Sequence, residues 1–251
     1  MRNILIELTV LDGDRTWTLR KPDDSVVQAS LELANLPGVP ADLFSISART
    51  AGPLDDLGHP DIYYVNLDGP AYDGTPTPAQ IVAAAQPSKA LVLDGRGYPD
   101  TTATWSLIRH LLPAATYVRF NYPIRSPFIH EAEPDEQLWG QELPTYTGPV
   151  YVLVGPSTLS QAEHILMPLV STDRAVFVGR ETAGSNGNIT GVMLPGAMAF
   201  SFTGMEVLFD DGSTFHGIGI PPTVEVHPTV AALAAGLDDE LQAAVDLIAA
   251  L

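Results

Sequence analysis

Short unbroken apolar runs alternate along this chain with stretches of helical periodicity, and most runs end in a glycine- or proline-bearing turn. Residues 89–94 read KALVLD, 150–154 read VYVLV and 175–178 read AVFV. Runs of that length without polar alternation predict strands buried on both faces. Residues 62–67 and 117–122 predict two more strands. Between them, residues 78–85 predict a helix capped by Thr77. Residues 105–112 predict another, with Trp105, Ile108, Leu111 and Leu112 on one side. A further helix begins at Gln161. Strand-helix alternation of this kind implies α/β layers.

The flanks differ. Ile4, Ile6, Leu8 and Val10 alternate, Asp12-Gly13-Asp14 follows, and Thr16 to Leu19 reads as a second strand, which predicts a β-hairpin. A loop-rich stretch punctuated by Pro37, Pro40, Pro53 and Pro60 then runs to about residue 60. Residues 126–149 carry four prolines and read as irregular, a lid or an interaction arm. Three apolar segments, 189–194, 198–202 and 205–209, precede an Asp210-Asp211-Gly212 turn and suggest a small second sheet. Residues 239–251 predict an amphipathic C-terminal helix. The division expected is a hairpin and linker over 1–54 and a core domain over 55–251.

Composition narrows the chemistry. A net charge of −18 excludes a phosphate-binding, nucleic-acid surface. The absence of cysteine removes disulfides, thiolate nucleophiles and cysteine zinc sites. Lys21 and Lys89 are the sole lysines, which constrains any lysine-based mechanism. No apolar run reaches membrane-spanning length, and Met1-Arg2-Asn3 leads straight into a strand pattern with no signal peptide. The abrupt start at Ile4 reads as mid-domain, with upstream sequence expected. Nothing in the sequence fixes a compartment.

Candidate chemistry concentrates at VYVLVGPSTLSQA, residues 150–162. A buried strand breaks at Gly155-Pro156, and Ser160 stands where a helix begins. This arrangement presents a nucleophilic hydroxyl beside free helix N–H groups. A developing oxyanion there meets donors and the positive end of the helix dipole. Ser160 and Glu163 equally form an S-x-x-E capping box, so both readings stand. Two polar turns follow other strands, Asp94 to Asp100 (DGRGYPD) and Gly179 to Asn188 (GRETAGSNGN). Each is either an ordinary turn or a source of backbone donors. Gly184 and Gly187 are expected at positive φ. Among six histidines, none pairs at helical zinc spacing. His164 is expected at the surface and His110 at a helix C-terminus. His216, amid glycines, is one candidate base.

Three segments, LVLDGRGYPD (91–100), the block 158–188, and FDDGSTFHGIGIPPTVEV (209–226), together resemble the carboxy-terminal processing, or tail-specific, serine proteases. Tricorn protease and interphotoreceptor retinoid-binding protein belong to the same wider group. The resemblance implies a ClpP/crotonase-like core of stacked strand-strand-helix units over roughly residues 60–251, with the N-terminal hairpin as the remnant of a PDZ-like region. It places Ser160 on the nucleophile. It puts oxyanion donors on the Gln161 amide and the Gly97 to Asp100 turn, where Tyr98-Pro99-Asp100-Thr101 departs from the common N-P-G-G. Lysine-dependent members carry their base in a T-x-G-K turn, and Ser185 stands there instead, after Thr182-Ala183-Gly184. Tricorn-like members use an upstream histidine and place a glutamate where this chain has His216. His216 therefore becomes the leading local base or a substrate-binding residue, with Glu163 and Ser185 in support.

The function expected is a serine peptidase acting on peptide or protein substrates, without metal or organic cofactor, and compatible with homo-oligomers. The alternative is a catalytically degenerate peptide-binding module that takes extended chains on a strand edge. Acyl-thioester chemistry on the same superfold is disfavoured, because Ser160 has no role in it and basic residues are scarce.

Overall fold

The computed structural model describes residues 15–20, 25–31, 49–99, 101–122, 133–196 and 198–251. The contacts fall into two units, Met1–Phe44 and Ser45–Leu251. In the first, β1 (Arg15–Arg20) pairs antiparallel with β2 (Val26–Leu31). The strand partner of Thr16 to Leu19 thus comes from the stretch read as loop. The predicted partner around Ile4 to Val10 lies outside the described residues.

The second unit runs β3 (Gly52–Leu54), β4 (His59–Asn66), α1 (Pro78–Ala85), β5 (Ala90–Asp94), α2 (Thr101–Arg109), β6 (Thr116–Tyr122), β7 (Glu133–Trp139) and β8 (Val150–Val154). It continues with α3 (Gln161–Ser171), β9 (Val176–Gly179), β10 (Ile189–Leu194), β11 (Met198–Thr203), β12 (Glu206–Leu208), β13 (Val224–Glu225), α4 (Val230–Ala234) and α5 (Asp239–Ala249). Six strands form one sheet in the order β13-β9-β8-β5-β4-β3, parallel except for β3. Both faces are covered, which is why the central strands read as unbroken apolar runs. Tyr63, Val65, Leu91, Leu93, Val152 and Val154 face α1, α2 and α3 through Ile81, Leu107 and Ile165. Ile62, Tyr64, Val92 and Leu153 face α5 through Leu241, Val245 and Ile248.

Two departures from the sequence expectation bear on the site. Residues 133–139, inside the stretch read as irregular, form β7, and a three-stranded antiparallel sheet runs β12-β6-β7. Its Glu-Pro-Asp-Glu-Gln sequence carries little strand propensity, so pairing with β6 decides it. Residues 126–132 lie outside the described residues. The second departure concerns β10 and β11, which pair with each other as a separate ribbon, whereas β12 joins β6.

A buried ionic cluster fixes the end of β5 to the C-terminal helix. Arg96, 2% exposed, bonds Asp94 at 2.9 and 2.7 Å, Asp238 at 2.9 and 2.7 Å and Glu240 at 2.7 Å. Tyr64 Oη donates to Asp94 at 2.8 Å, and Arg180 Nε donates to Glu240 at 3.1 Å. Lys89 Nζ donates to the Ala249 carbonyl at 3.1 Å, so this lysine closes the other end of α5. Lys21 is outside the described residues.

Candidate active site

The turn after β8 is built by Thr158, which is fully buried. Its hydroxyl donates to the Gly95 carbonyl at 2.9 Å and accepts from the Gly155 amide at 3.1 Å. Its own amide returns to the Gly155 carbonyl at 2.8 Å, and its carbonyl takes the Ala183 amide at 3.0 Å. The ends of β5 and β8 and the turn after β9 are thereby fixed to one another. Two residues on, Ser160 sits at φ 54° and ψ −117° as the N-cap of α3. Such a conformation costs an L-residue on the order of 1–3 kcal/mol and persists where the surroundings impose it. It is the strained strand-to-helix corner that lifts a serine clear of a sheet.

Glu163 imposes it. This carboxylate is 0% exposed and accepts four hydrogen bonds. The Ser160 amide donates at 3.1 Å, Thr182 Oγ1 at 2.6 Å, the Gly184 amide at 2.6 Å and the Ser185 amide at 2.9 Å. Both oxygens are occupied, as a buried carboxylate requires. The capping interaction expected from S-x-x-E is therefore also what ties the Ser160 corner to the turn at 182–185. Thr182 Oγ1 accepts the Ile220 amide at 2.8 Å in turn. Gly184, at φ 66°, lets its turn pack on the backbone of Gly217 and Ile218, where a Cβ would stand 3.0–3.1 Å away. Gly187 is also at positive φ, 122°.

Ser160 opens on a cavity of about 450 Å³, lined among others by Trp105, Phe120, Gln137, Gln161, His164 and Asn186. His164, expected at the surface, is 7% exposed instead. It lies within 6 Å of Trp105, Phe120 and Trp139. β6 and β7 cover the side of α3 that carries it, through Phe120, Gln137 and Trp139. Asn186 Nδ2 lies 3.1 Å from His164 Nδ1, and His164 Nε2 lies 2.6 Å from Gln137 Oε1. With Asn186 donating, the ring is neutral with its hydrogen on Nε2. Burial lowers its pKa to about 4.

That shift carries a stability consequence. Unfolded chain protonates this histidine near pH 6.5 and folded protein only near 4, so stability is complete above 6.5 and declines as pH falls toward 4. Between pH 7 and pH 5 the loss expected from His164 is about 2 kcal/mol. Urea unfolding at the two pH values checks it, and His164→Phe should flatten the difference.

The structure brings Ser160, Gln161, Glu163 and Ser185 together. Gln161 lines the cavity, and its Nε2 is buried without a hydrogen-bond partner, as is Trp105 Nε1. Gly97 does not line the cavity. It packs on Asp68 so closely that a Cβ would fall 2.5 Å from Asp68 Cβ, and the Tyr98 amide donates to Asp68 Oδ1 at 3.0 Å. Asp100 lies outside the described residues. His216 is absent from the cavity lining as well, and its Nε2 is bonded to the Asn186 carbonyl at 2.6 Å. Asn186 thus stands between His216 and His164, bonded to both. His110, expected at a helix end, follows α2 and bonds the Pro144 carbonyl at 2.7 Å. Among the described residues, no group of three His, Asp or Glu gathers to hold a metal. None of their helices is long and apolar enough to cross a membrane.

Sequence reasoning missed Thr158, Thr182 and Asn186. Their signal was faint, a short polar side chain a few residues from a strand end.

Comparison with known proteins extends the picture. A family model described as peptidase family S41 matches residues 64–226. An uncharacterized protein of Chlamydia muridarum (strain MoPn / Nigg) is 32% identical over 84 residues, which are 32% of this chain and 14% of that protein. Among solved structures, mature CPAF complexed with lactacystin aligns with a TM-score of 0.64 at 15% identity, over 95% of this chain and 69% of that one. The photosystem II D1 C-terminal processing protease aligns at 0.51 and 21%, over 66% of this chain and 42% of that one. Tricorn protease aligns at 0.51 and 16%, over 75% of this chain and 18% of that one. At these identities the likeness is one of fold, a mixed α/β core of the ClpP/crotonase kind.

Proposed function

The chain belongs to peptidase family S41, and on that premise we propose that it hydrolyses peptide bonds with Ser160 as nucleophile. The observation that carries this reading is the Ser160 corner, at φ 54° and ψ −117°, clamped by a fully buried carboxylate at the mouth of a helix and beside a cavity. Ser160 attacks the peptide carbonyl. The carbonyl oxygen becomes an oxyanion and receives the Gln161 amide at the mouth of α3. The serine proton passes to a histidine and then to the leaving amine, and water completes hydrolysis of the acyl-enzyme. His164 lines the cavity with Ser160 and is neutral, so it can accept a proton once the Asn186 amide turns away from Nδ1. His216 would first have to rearrange around its bond to Asn186. The unpartnered N–H groups of Gln161 and Trp105 suit the carbonyl oxygens of a bound peptide.

A fluorophosphonate probe tests the reading. Expected is one covalent adduct at Ser160, absent in Ser160→Ala. Correctly folded protein that forms no adduct would overturn it. In the labelling protein, His164→Asn is expected to slow adduct formation by about 10²–10⁴-fold, the scale of a lost general base. His216→Asn should change it far less.

A second reading has an observation of its own. Both His164 nitrogens are engaged and burial holds its pKa near 4, as suits a peptide-binding module without turnover. Peptide binding by wild-type protein without adduct formation selects that reading.

A further inference from the structure

The β10–β11 ribbon is exposed along its whole length. Its register pairs Thr190 with Phe202, Val192 with Phe200 and Leu194 with Met198, so these six residues share one face. Val192, Leu194, Met198, Phe200 and Phe202 make that face an apolar stripe, with Thr190 at its root. Phe200 stacks on Phe202 at 5.5 Å and remains 53% exposed. Residues 182–205 carry no charged side chain in a chain of net charge −18. The ribbon also rises from the rim of the Ser160 cavity. Gly187, Asn188 and Met205 line that cavity and flank the two strands, and the Gly204 amide closes the root on the Asn188 carbonyl at 3.3 Å.

From this placement we infer that the ribbon is a substrate-docking arm, which seats an extended apolar segment of a polypeptide whose adjoining residues enter the Ser160 cavity. The inference rests on reading that cavity as a peptide site. The dimensions favour this occupant over a second copy of the chain. Two strands of this length cover on the order of 200 Å² in plan, from a rise of about 3.3 Å per residue and a spacing of about 4.8 Å. A stable dimer needs about 800 Å² from each partner. An extended peptide needs little more than a strand's length of surface. Each ribbon strand, paired on one side alone, can add main-chain hydrogen bonds to such a peptide. Phenylalanine and methionine accept varied apolar side chains, so the segment is recognised by its apolar character and extended form more than by a fixed motif.

The test uses the whole chain carrying Ser160→Ala, so that binding is read without turnover. Two fluorescein-labelled unstructured peptides are titrated by anisotropy, one rich in leucine, valine and phenylalanine, the other with serine and asparagine in their place. The ribbon variant is Val192→Thr, Phe200→Thr, Phe202→Thr, which keeps strand-forming residues and removes the stripe. Expected is weakening of the apolar peptide by about tenfold or more, as three apolar contacts are lost, with no change for the polar one. In the Ser160 background the same substitutions should leave fluorophosphonate labelling unchanged, because none of the three residues lines the cavity. Equal affinity of both peptides, or apolar-peptide affinity unaltered in the variant, overturns the arm. So does a change of mass from dimer to monomer, by light scattering, with peptide binding intact. If wild-type protein fails to label yet the variant loses the apolar peptide, the peptidase reading falls and the arm stands.

Discussion

Glu163→Ala is expected to unfold the Ser160 corner and to abolish labelling of Ser160. The carboxylate is wholly buried and is the acceptor for the Ser160, Gly184 and Ser185 amides and the Thr182 hydroxyl. Its removal leaves these donors without a partner. Each buried unsatisfied group costs about 1–3 kcal/mol, so a loss of about 3–5 kcal/mol is expected after partial relaxation. That is a large share of the 5–15 kcal/mol by which domains are typically stable. Glu163→Gln separates geometry from stability. It retains volume but turns an –NH₂ toward donors, so the serine corner should relax from its strained φ/ψ. Labelling is expected to fall about 10²-fold, comparable to the loss of one oxyanion donor, with a smaller loss of stability. Urea denaturation and probe kinetics on the two variants check both effects. Wild-type labelling in Glu163→Gln would mean that the corner does not depend on this carboxylate.

Arg96→Met should be as costly to stability, through the buried ionic cluster that joins the end of β5 to α5. It leaves Asp94 buried without its cation and Glu240 with Arg180 alone, and breaking one side of a buried ion pair typically costs about 3–5 kcal/mol. The first region to loosen should be α5, which Arg96 holds through Asp238 and Glu240. Hydrogen exchange in α5 is the local readout and urea denaturation the global one. Asn at 94 with Gln at 240, added to Arg96→Met, should recover part of the loss by removing the stranded charges. Acid acts on the same cluster. Burial raises the Asp238 pKa, but the bonds and charge of Arg96 outweigh it and hold the group below its ordinary value. Its contribution is therefore complete above the unfolded carboxylate value near 4 and is lost as pH falls through the lower folded value.

The central architecture was legible because burial on both faces leaves an unmistakable record. The runs at 90–94 and 150–154 could be nothing but interior strands or buried helix, and flanking glycines decided for strands. Thr77, with Pro78 beside it and Gln80 at N3, marked a helix start that forms a full capping box. Elements set by tertiary pairing left no such record. Glu133 to Trp139 is polar and proline-bearing, and becomes β7 because β6 offers it a complete ladder. At the site, Ser160 and Glu163 could be found because their spacing is local. His164 was misread because its neighbours come from β6, β7 and α2, which sequence spacing does not relate to α3. The hydrogen bond from His216 to the Asn186 carbonyl was invisible for the same reason.

The large sheet closes on very short strands, three residues in β3 with a register shift at Pro53/Leu54 and two in β13. Neither border offers enough ladder to template a foreign strand. In concentrated or partly heated protein, the exposed, uncharged borders of β10 and β11 offer fibrillar growth a starting edge, with Pro195 at the bend as a brake.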